Sequence, residues 1–213
     1  MKDNISNLRK EYGKHSLDIK DVDKNPLKQF STWFEQSLKS GVDEPNAMNI
    51  ATVDQKGRPS SRTVLLKGVD ESGFLFFTNY NSRKGNQINE NPYASIVFLW
   101  LELQRQVIIE GRVEKISDSE SDEYYNSRPF QSRIGAWASE QSKEIDSREE
   151  LEQKFAELEK TFKDKNIPRP KYWGGYRLIP DRIEFWQGRE SRLHDRIVYI
   201  LENHNWKIKR LSP

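Results

Sequence analysis

AMNIATVDQKGRPSSRTVLLKGVDESGFLFFT, residues 47–78, carries the clearest β pattern in the chain. Apolar residues recur there with a period of two, in AMNIATV (47–53), SRTVLLKGV (61–69) and GFLFFT (73–78). The breaks between these runs, DQKGRP and DESG, carry the Gly, Pro, Asp and Ser of tight turns. Strands joined by turns are therefore expected. Toward the N-terminus the period lengthens. Asn25 and Pro26 supply an N-cap and a proline at the first helical position, Leu27, Phe30, Phe34 and Leu38 fall on one helical face, and Gly41 supplies the stop. Residues 1–24 lack clean periodicity and are expected to form a mobile arm, leaving 25–213 as a single domain.

Beyond residue 78 the same reasoning predicts a short helix in SRKGNQINENP (82–92), ended by its proline. Two strands follow, YASIVFLWL (93–101) and RQVIIEGRVEKI (105–116). Ser117 and Asp118 can cap a helix that must end near Arg128, because Pro129 disfavours helical geometry before it. A second short helix is expected from Pro129 through Trp137. Ser147 and Glu150 read as a capping box, and Leu151, Phe155, Leu158 and Phe162 form an apolar stripe that packs on the body. KYWGGYRLI, RIEFW, DRIVYILE and NWKIKRL complete the strands, the last two as a hairpin. The fold class is mainly β with inserted helices, an antiparallel sheet or barrel.

The 213 residues include 34% hydrophobic and 32% charged side chains, and the mean hydropathy is −0.92, so the surface must be heavily charged. Six Trp, eight Tyr and ten Phe carry much of the apolar weight, and large aromatics serve interfaces as well as cores, which makes a homodimer plausible. A net charge of +2 argues against a nucleic-acid binder, which normally shows a basic excess. The absence of cysteine removes disulfides, thiolate metal sites and thiol nucleophiles. MKDNISNLRKEYGKH lacks the hydrophobic core of a signal peptide, and the apolar run SIVFLWL (95–101) is too short to span a bilayer. The expectation is a soluble cytoplasmic protein without membrane or nucleic-acid partners.

No G-x-G-x-x-G follows a strand, no G-x-x-x-x-G-K-[ST] occurs, and no G-x-S-x-G elbow is present. His15, His194 and His204 lie far apart, so a metal site would rest mainly on carboxylates and none is expected. What recurs is cations beside hydroxyls. In SRTVLLK, Arg62 and Lys67 bracket an apolar strand from its two faces; charge at the ends of a core strand is the plain alternative. In TNYNSRKG (78–85), Arg83 and Lys84 fall at a helix N-terminus, where cations are out of place unless an anion sits nearby. In DEYYNSRPFQS (122–132), Tyr124 and Arg128 share a helical face, and Ser132 could join them in a phosphate clamp, although Tyr–Arg pairs are common on solvated helices. WQGRESRLHDR (186–196) packs three arginines and His194 directly after a buried strand. One phosphate would rarely need so many cations, whereas two phosphorylated small molecules would.

IEFWQGRESRLHDR resembles the C-terminal signature of the pyridoxamine 5′-phosphate oxidases. RTVLLK, FTNYNSRKG, RQV, SRPFQSRIGAWAS-EQS and PRPKYWGGYRLIPDRIEFWQG are similar to further blocks of that family, in the same order, from about Leu8 onward. The resemblance implies an FMN-binding split β-barrel working as a homodimer, with FMN at the subunit interface. It implies oxidation of pyridoxamine 5′-phosphate or pyridoxine 5′-phosphate to pyridoxal 5′-phosphate by molecular oxygen, giving hydrogen peroxide and, from the amine, ammonia. By the same resemblance Arg62, Thr63, Val64, Leu65, Leu66 and Lys67 would line FMN. So would Phe77, Thr78, Arg83, Lys84, Gln106, Gln141, Ser142, Trp186 and Arg196. Lys67, Tyr124, Arg128 and Ser132 would grip the substrate phosphate, Arg192, Leu193 and His194 would meet the substrate ring, and Arg9, Lys10, Glu11 and Tyr12 would fold over it. Phe77 stands where many members carry Tyr, and Arg189 where small or polar residues are usual.

In such an enzyme the cofactor performs the redox chemistry and the protein binds and orients. Arg192 and His194 are the expected catalytic residues. Arg192 would fix the substrate ring, and His194 would orient the exocyclic group or accept its proton, imidazole being the side chain suited to proton transfer near neutrality. Other readings are a flavin enzyme reducing its substrate with electrons from a nicotinamide, and a non-catalytic flavin or pyridoxal 5′-phosphate carrier.

Overall fold

The computed structural model describes Leu8 and residues 10–213. Nine strands carry the chain: β1 (Ala47–Val53), β2 (Pro59–Leu65), β3 (Gly68–Asp70), β4 (Gly73–Asn79), β5 (Tyr93–Trp100), β6 (Arg105–Lys115), β7 (Trp173–Gln187), β8 (Asp195–Glu202) and β9 (Asn205–Leu211). Among the described residues one α-helix precedes the strands, α1 (Pro26–Lys39), and four are inserted between them: α2 (Arg83–Glu90), α3 (Asp118–Ser127), α4 (Phe130–Ala138) and α5 (Arg148–Phe162). The sheet order is β2-β1-β5-β6-β7-β4-β3, with β8 added to β7 and β9 to β8. The pairs β3–β4, β4–β7, β7–β8 and β8–β9 are antiparallel. The mainly β class with inserted helices is thus the observed one.

Two strand boundaries differ from the sequence reading. SRTVLLKGV divides into β2 and β3, because the chain leaves the strand at Leu66 and Lys67. KYWGGYRLI and RIEFW instead fuse into the single 15-residue β7. Pro180 lies between the residues paired with β4, which end at Leu178, and those paired with β8, which begin at Arg182. A missing N–H is tolerated in such a gap.

The described residues form two compact units, one of those up to 50 with 95–111 and 180–213, the other of 51–94 and 112–179. In the first, Asn25 caps α1 by accepting from the amides of Leu27 and Lys28, with Pro26 in the first turn. The buried face of α1 is Gln29, Phe30, Trp33 and Ser37, while Leu38, expected on the apolar face, is exposed. The helix turns this way because Trp33 meets Phe185 edge-on at 5.1 Å and Phe30 meets Phe98 at 5.0 Å. Part of the segment expected as an arm is hydrogen-bonded. The amides of Gly13 and Lys14 donate to Gln104 Oε1, the amide of the buried Leu17 donates to Asp195, and Arg210 reaches Asp18.

In the second unit Phe74, Phe76, Tyr176 and Leu178 are buried. A second cluster gathers Tyr125, Ile134, Ile167 and Trp173. The α5 stripe contributes Phe155, Leu158 and Phe162 to the margin of that cluster, half-buried rather than core. The full reciprocal capping box sits at Ser117 and Glu120, at the start of α3; at Ser147 only the side chain's acceptance from the Glu150 amide is present. Gly73, at φ +144°, admits β4 so close to β7 that an added Cβ would lie 2.0 Å from the Leu178 carbonyl oxygen.

Candidate active site

The second unit encloses a cavity of about 750 Å³. β2 supplies Arg62, Thr63, Val64 and Leu65 to its wall, and Lys67 follows where the strand ends. Phe77 and Thr78 come from β4, and Arg83 and Lys84 from the first turn of α2, whose N-cap is Ser82. Tyr124 lies on α3, Arg128 directly after it, and Ser132 on α4. Gln141 and Ser142 complete the set, with Ser142 in the left-handed region at φ 73°. Expected cofactor and substrate residues from five separate sequence blocks therefore meet in one space. Leu66 does not line it and is buried instead.

Among the described residues, five of those lining the cavity are cations, Arg62, Lys67, Arg83, Lys84 and Arg128, and none is Asp or Glu. Lys84 is buried, yet its ammonium donates only to neutral oxygens: Gln141 Oε1 at 2.7 Å, Thr78 Oγ1 at 3.1 Å and Ser82 Oγ at 3.3 Å. Burial, with Arg62 nearby, pulls the Lys84 ammonium down to about 8. Burial likewise lowers Arg62, with Arg83 adding to the effect, and lowers Arg128. Arg128 lies over the Trp173 ring at 4.5 Å, and its Nη1 is buried without a hydrogen-bond partner among the described residues. A buried cation without a counter-charge is costly; on this wall Lys84 is buried and Arg62 and Arg128 are half-buried, while Arg83 and Lys67 are exposed. An anion answers all of them at once.

The wall also carries stacked rings. Phe77 lies parallel to Tyr124 at 3.8 Å and to Trp173 at 5.6 Å. Chemically this is a receptor for planar molecules bearing phosphate. The donor set fits the flavin mononucleotide and the phosphorylated pyridine implied by the resemblance: the three cations Arg62, Arg83 and Lys84, and the single cation Arg128 with the hydroxyls of Tyr124 and Ser132.

The first unit holds a separate cavity of about 490 Å³, lined by Leu8, Lys10, Glu11, Tyr12, Arg189, Ser191, Arg192 and His194. Ser191 and Arg192 are both left-handed, at φ 54° and 61°, which makes the loop turn sharply. His194 Nδ1 accepts from the Arg189 amide at 3.1 Å, so the neutral ring carries its proton on Nε2. The Arg189 side chain pairs with Asp195 at 2.9 Å. Trp186 packs against His194 at 4.7 Å and meets Tyr12 edge-on at 5.9 Å. Gly188 makes room for Tyr12: a Cβ there would lie 2.9 Å from the Tyr12 Cβ. Leu193 is exposed, Gln106 is half-buried on β6, and Arg9 lies outside the described residues. Arg196 donates to Glu184 at 2.7 Å and to the Ser212 carbonyl. Burial would raise the Glu184 carboxyl, but the hydrogen bonds from Arg196 and Arg182 hold it below its ordinary value.

Three features escaped the sequence reading. Ser60, Ser61 and Trp173 line the larger cavity. Thr52 and Gln87 stand behind Arg62. Glu184 stands behind Arg196. Thr52 left a signal: it is a polar residue in the buried row Met48, Ile50, Thr52 of β1. Gln87 also left one, three residues after Lys84 on the same helix.

Comparison with known proteins supplies the family. Residues 34–162 match the family described as pyridoxamine 5′-phosphate oxidase. Residues 173–213 match the pyridoxine 5′-phosphate oxidase C-terminal dimerisation region. A pyridoxine/pyridoxamine 5′-phosphate oxidase of Paraburkholderia phytofirmans is 57% identical over 98% of this chain and 99% of its own length. A relative of the same name from Nostoc sp. is 58% identical over 98% of each chain. Among solved structures, PhzG from Burkholderia lata, in complex with tetrahydrophenazine-1-carboxylic acid, is 33% identical. It superposes with a TM-score of 0.88 over 93% of this chain and 100% of its own. The fold and site thus define an oxidoreductase class. The chain belongs to the pyridoxamine 5′-phosphate oxidase family.

Proposed function

We propose that this protein is an FMN-dependent oxidase converting pyridoxamine 5′-phosphate and pyridoxine 5′-phosphate to pyridoxal 5′-phosphate. Molecular oxygen is the terminal acceptor, and hydrogen peroxide is released, with ammonia from the amine. The observation that carries the reading is the cavity walled, among the described residues, by five cations and no carboxylate, with a buried guanidinium nitrogen of Arg128 that has no hydrogen-bond partner among those residues. Relatives named for this reaction over nearly the whole chain support it.

Bound flavin would supply the two-electron acceptor for the substrate C4′ carbon and pass those electrons to oxygen. The residues of this chain bind and orient. Arg62, Arg83 and Lys84, with Gln141 and Ser142, hold the FMN phosphate end, and Arg128, Tyr124, Ser132 and Lys67 hold the substrate phosphate. Anchoring both molecules by their phosphates presents the rings to each other in a fixed geometry, which turns a bimolecular encounter into an oriented one. Arg192 fixes the substrate ring. His194, with Nδ1 committed to the Arg189 amide, offers Nε2 to the exocyclic amine or alcohol. Trp186 and Arg196 contribute to the flavin site, Lys10, Glu11 and Tyr12 cover the substrate, and the working form is a homodimer with FMN at the subunit interface.

The purified protein should be yellow, release FMN on denaturation, and form peroxide with pyridoxamine 5′-phosphate in an oxygen-dependent manner. A colourless protein unable to take up FMN would overturn the proposal. Turnover that needs a nicotinamide and forms no peroxide would instead favour a reductase.

A further inference from the structure

Arg62 is held in a hydrogen-bond cage made of neutral groups. Its Nη1 donates to Thr52 Oγ1 at 2.6 Å, and its Nη2 donates to Ser60 Oγ at 2.7 Å and to Gln87 Oε1 at 3.3 Å. The cage closes on itself, because Thr52 Oγ1 and Ser60 Oγ both donate to Gln87 Oε1, at 2.6 and 2.8 Å. Proton accounting is consistent throughout. Each hydroxyl accepts from the guanidinium and donates to the amide oxygen, so the Gln87 oxygen is the common sink. Thr52 is fully buried and Gln87 nearly so, and neither lines the cavity that Arg62 lines.

A carboxylate at position 87 would hold a guanidinium more strongly than an amide does. It would also cancel the charge. Thr52, Ser60 and Gln87, being neutral acceptors, fix the direction of the fork without themselves cancelling its charge. Gln87 also sits one turn beyond Lys84 on α2, so one helix delivers Lys84 to the cavity and orients Arg62 from behind.

We infer that Gln87 and Thr52 are positioning residues that aim Arg62 at the flavin phosphate while preserving its charge. The assignment rests on the function proposed above. It separates two properties that ordinary packing would not separate: the geometry of Arg62, kept by Thr52, and its net charge, kept by the neutrality of Gln87.

The test measures dissociation constants for FMN and for riboflavin, which lacks the phosphate, by flavin fluorescence, with thermal melting of each apoprotein as a fold control. Gln87→Glu keeps the acceptor oxygen and the size of the side chain. It should leave melting unchanged or raised, weaken FMN by about tenfold or more, and leave riboflavin within about twofold. Thr52→Val should weaken FMN selectively to a similar degree, and Thr52→Ser, which restores the hydroxyl, should recover it. In an Arg62→Ala background Gln87→Glu should have no further effect on FMN, since it acts through Arg62. Wild-type protein that takes up no FMN would overturn the proposed function and this assignment with it. Wild-type protein that binds FMN, while Gln87→Glu and Thr52→Val bind it as tightly, would overturn this assignment alone. Equal losses for FMN and riboflavin would mark the two residues as structural and also overturn it.

Discussion

Arg128 keeps one guanidinium nitrogen buried against no partner among the described residues, with Trp173 beneath it. A ligand phosphate would complete that nitrogen, so Arg128→Ala should raise KM for pyridoxamine 5′-phosphate by about 10- to 100-fold, the range of a charged hydrogen bond. FMN affinity should hold; steady-state kinetics beside a flavin titration checks both. Arg192→Ala should spare flavin binding and lower kcat by about a hundredfold or more; unchanged kinetics would remove Arg192 from the site. Lys84 adds a pH dependence. Its folded-state ammonium titrates near 8, below the ordinary 10.5, so free protein carries the charge below pH 8 and loses it above. If the ligand needs that charge, FMN affinity should be level below pH 8 and fall by up to about tenfold per unit above it. Lys84→Arg should flatten the profile. For the apoprotein the sign is opposite: the buried charge weakens the fold fully below pH 8, and the penalty is relieved as pH rises from 8 toward 10.5. At this scale Arg83 and Lys84 were legible by themselves, as cations in a first helical turn, whereas Arg62, Lys67 and Arg128 each had a plain surface reading and gained meaning only when the clusters were taken together. Their supports were not. Thr52 and Gln87 become meaningful only when β1, β2 and α2 bring them to one guanidinium, and strand periodicity says nothing about which polar residue lies behind which.

Among the elements, helix ends followed local chemistry. Asn25 with Pro26, and Ser117, each cap a helix where the sequence places them. The Ser117–Glu120 box has both reciprocal bonds, so Ser117→Ala should cost about 1 kcal/mol of stability in urea denaturation, with no change in m. Ser147→Ala, losing one bond only, should cost less. Helix faces were less legible. Leu38 continues the apolar stripe of α1 in sequence yet is exposed, because Trp33 engages Phe185 and sets the rotation of the helix. Partners distant in sequence decided that. The fused β7 has the same origin: Pro180 reads as a break, but it falls where neither the β4 nor the β8 ladder requires its amide.

For the molecule as a whole, the match of residues 173–213 to a dimerisation region leads to an expected solution mass of about twice 25.2 kDa, to be checked by sedimentation equilibrium. A monomer retaining full FMN affinity would contradict a flavin site at the subunit interface. The division of expected site residues between two cavities, one in each compact unit, was invisible in sequence, where all belong to one ordered series of blocks. Gly188 and Tyr12 carry a last consequence. They are 176 positions apart, yet the space for a side chain at 188 is already filled by the Tyr12 Cβ. Across related sequences these two sites should drift together. A side chain at 188 should be tolerated only in lineages where position 12 has already become glycine or its backbone has moved away, because any other residue keeps the Cβ that fills the space, which makes the order of substitution, and not only its content, part of the history of this fold.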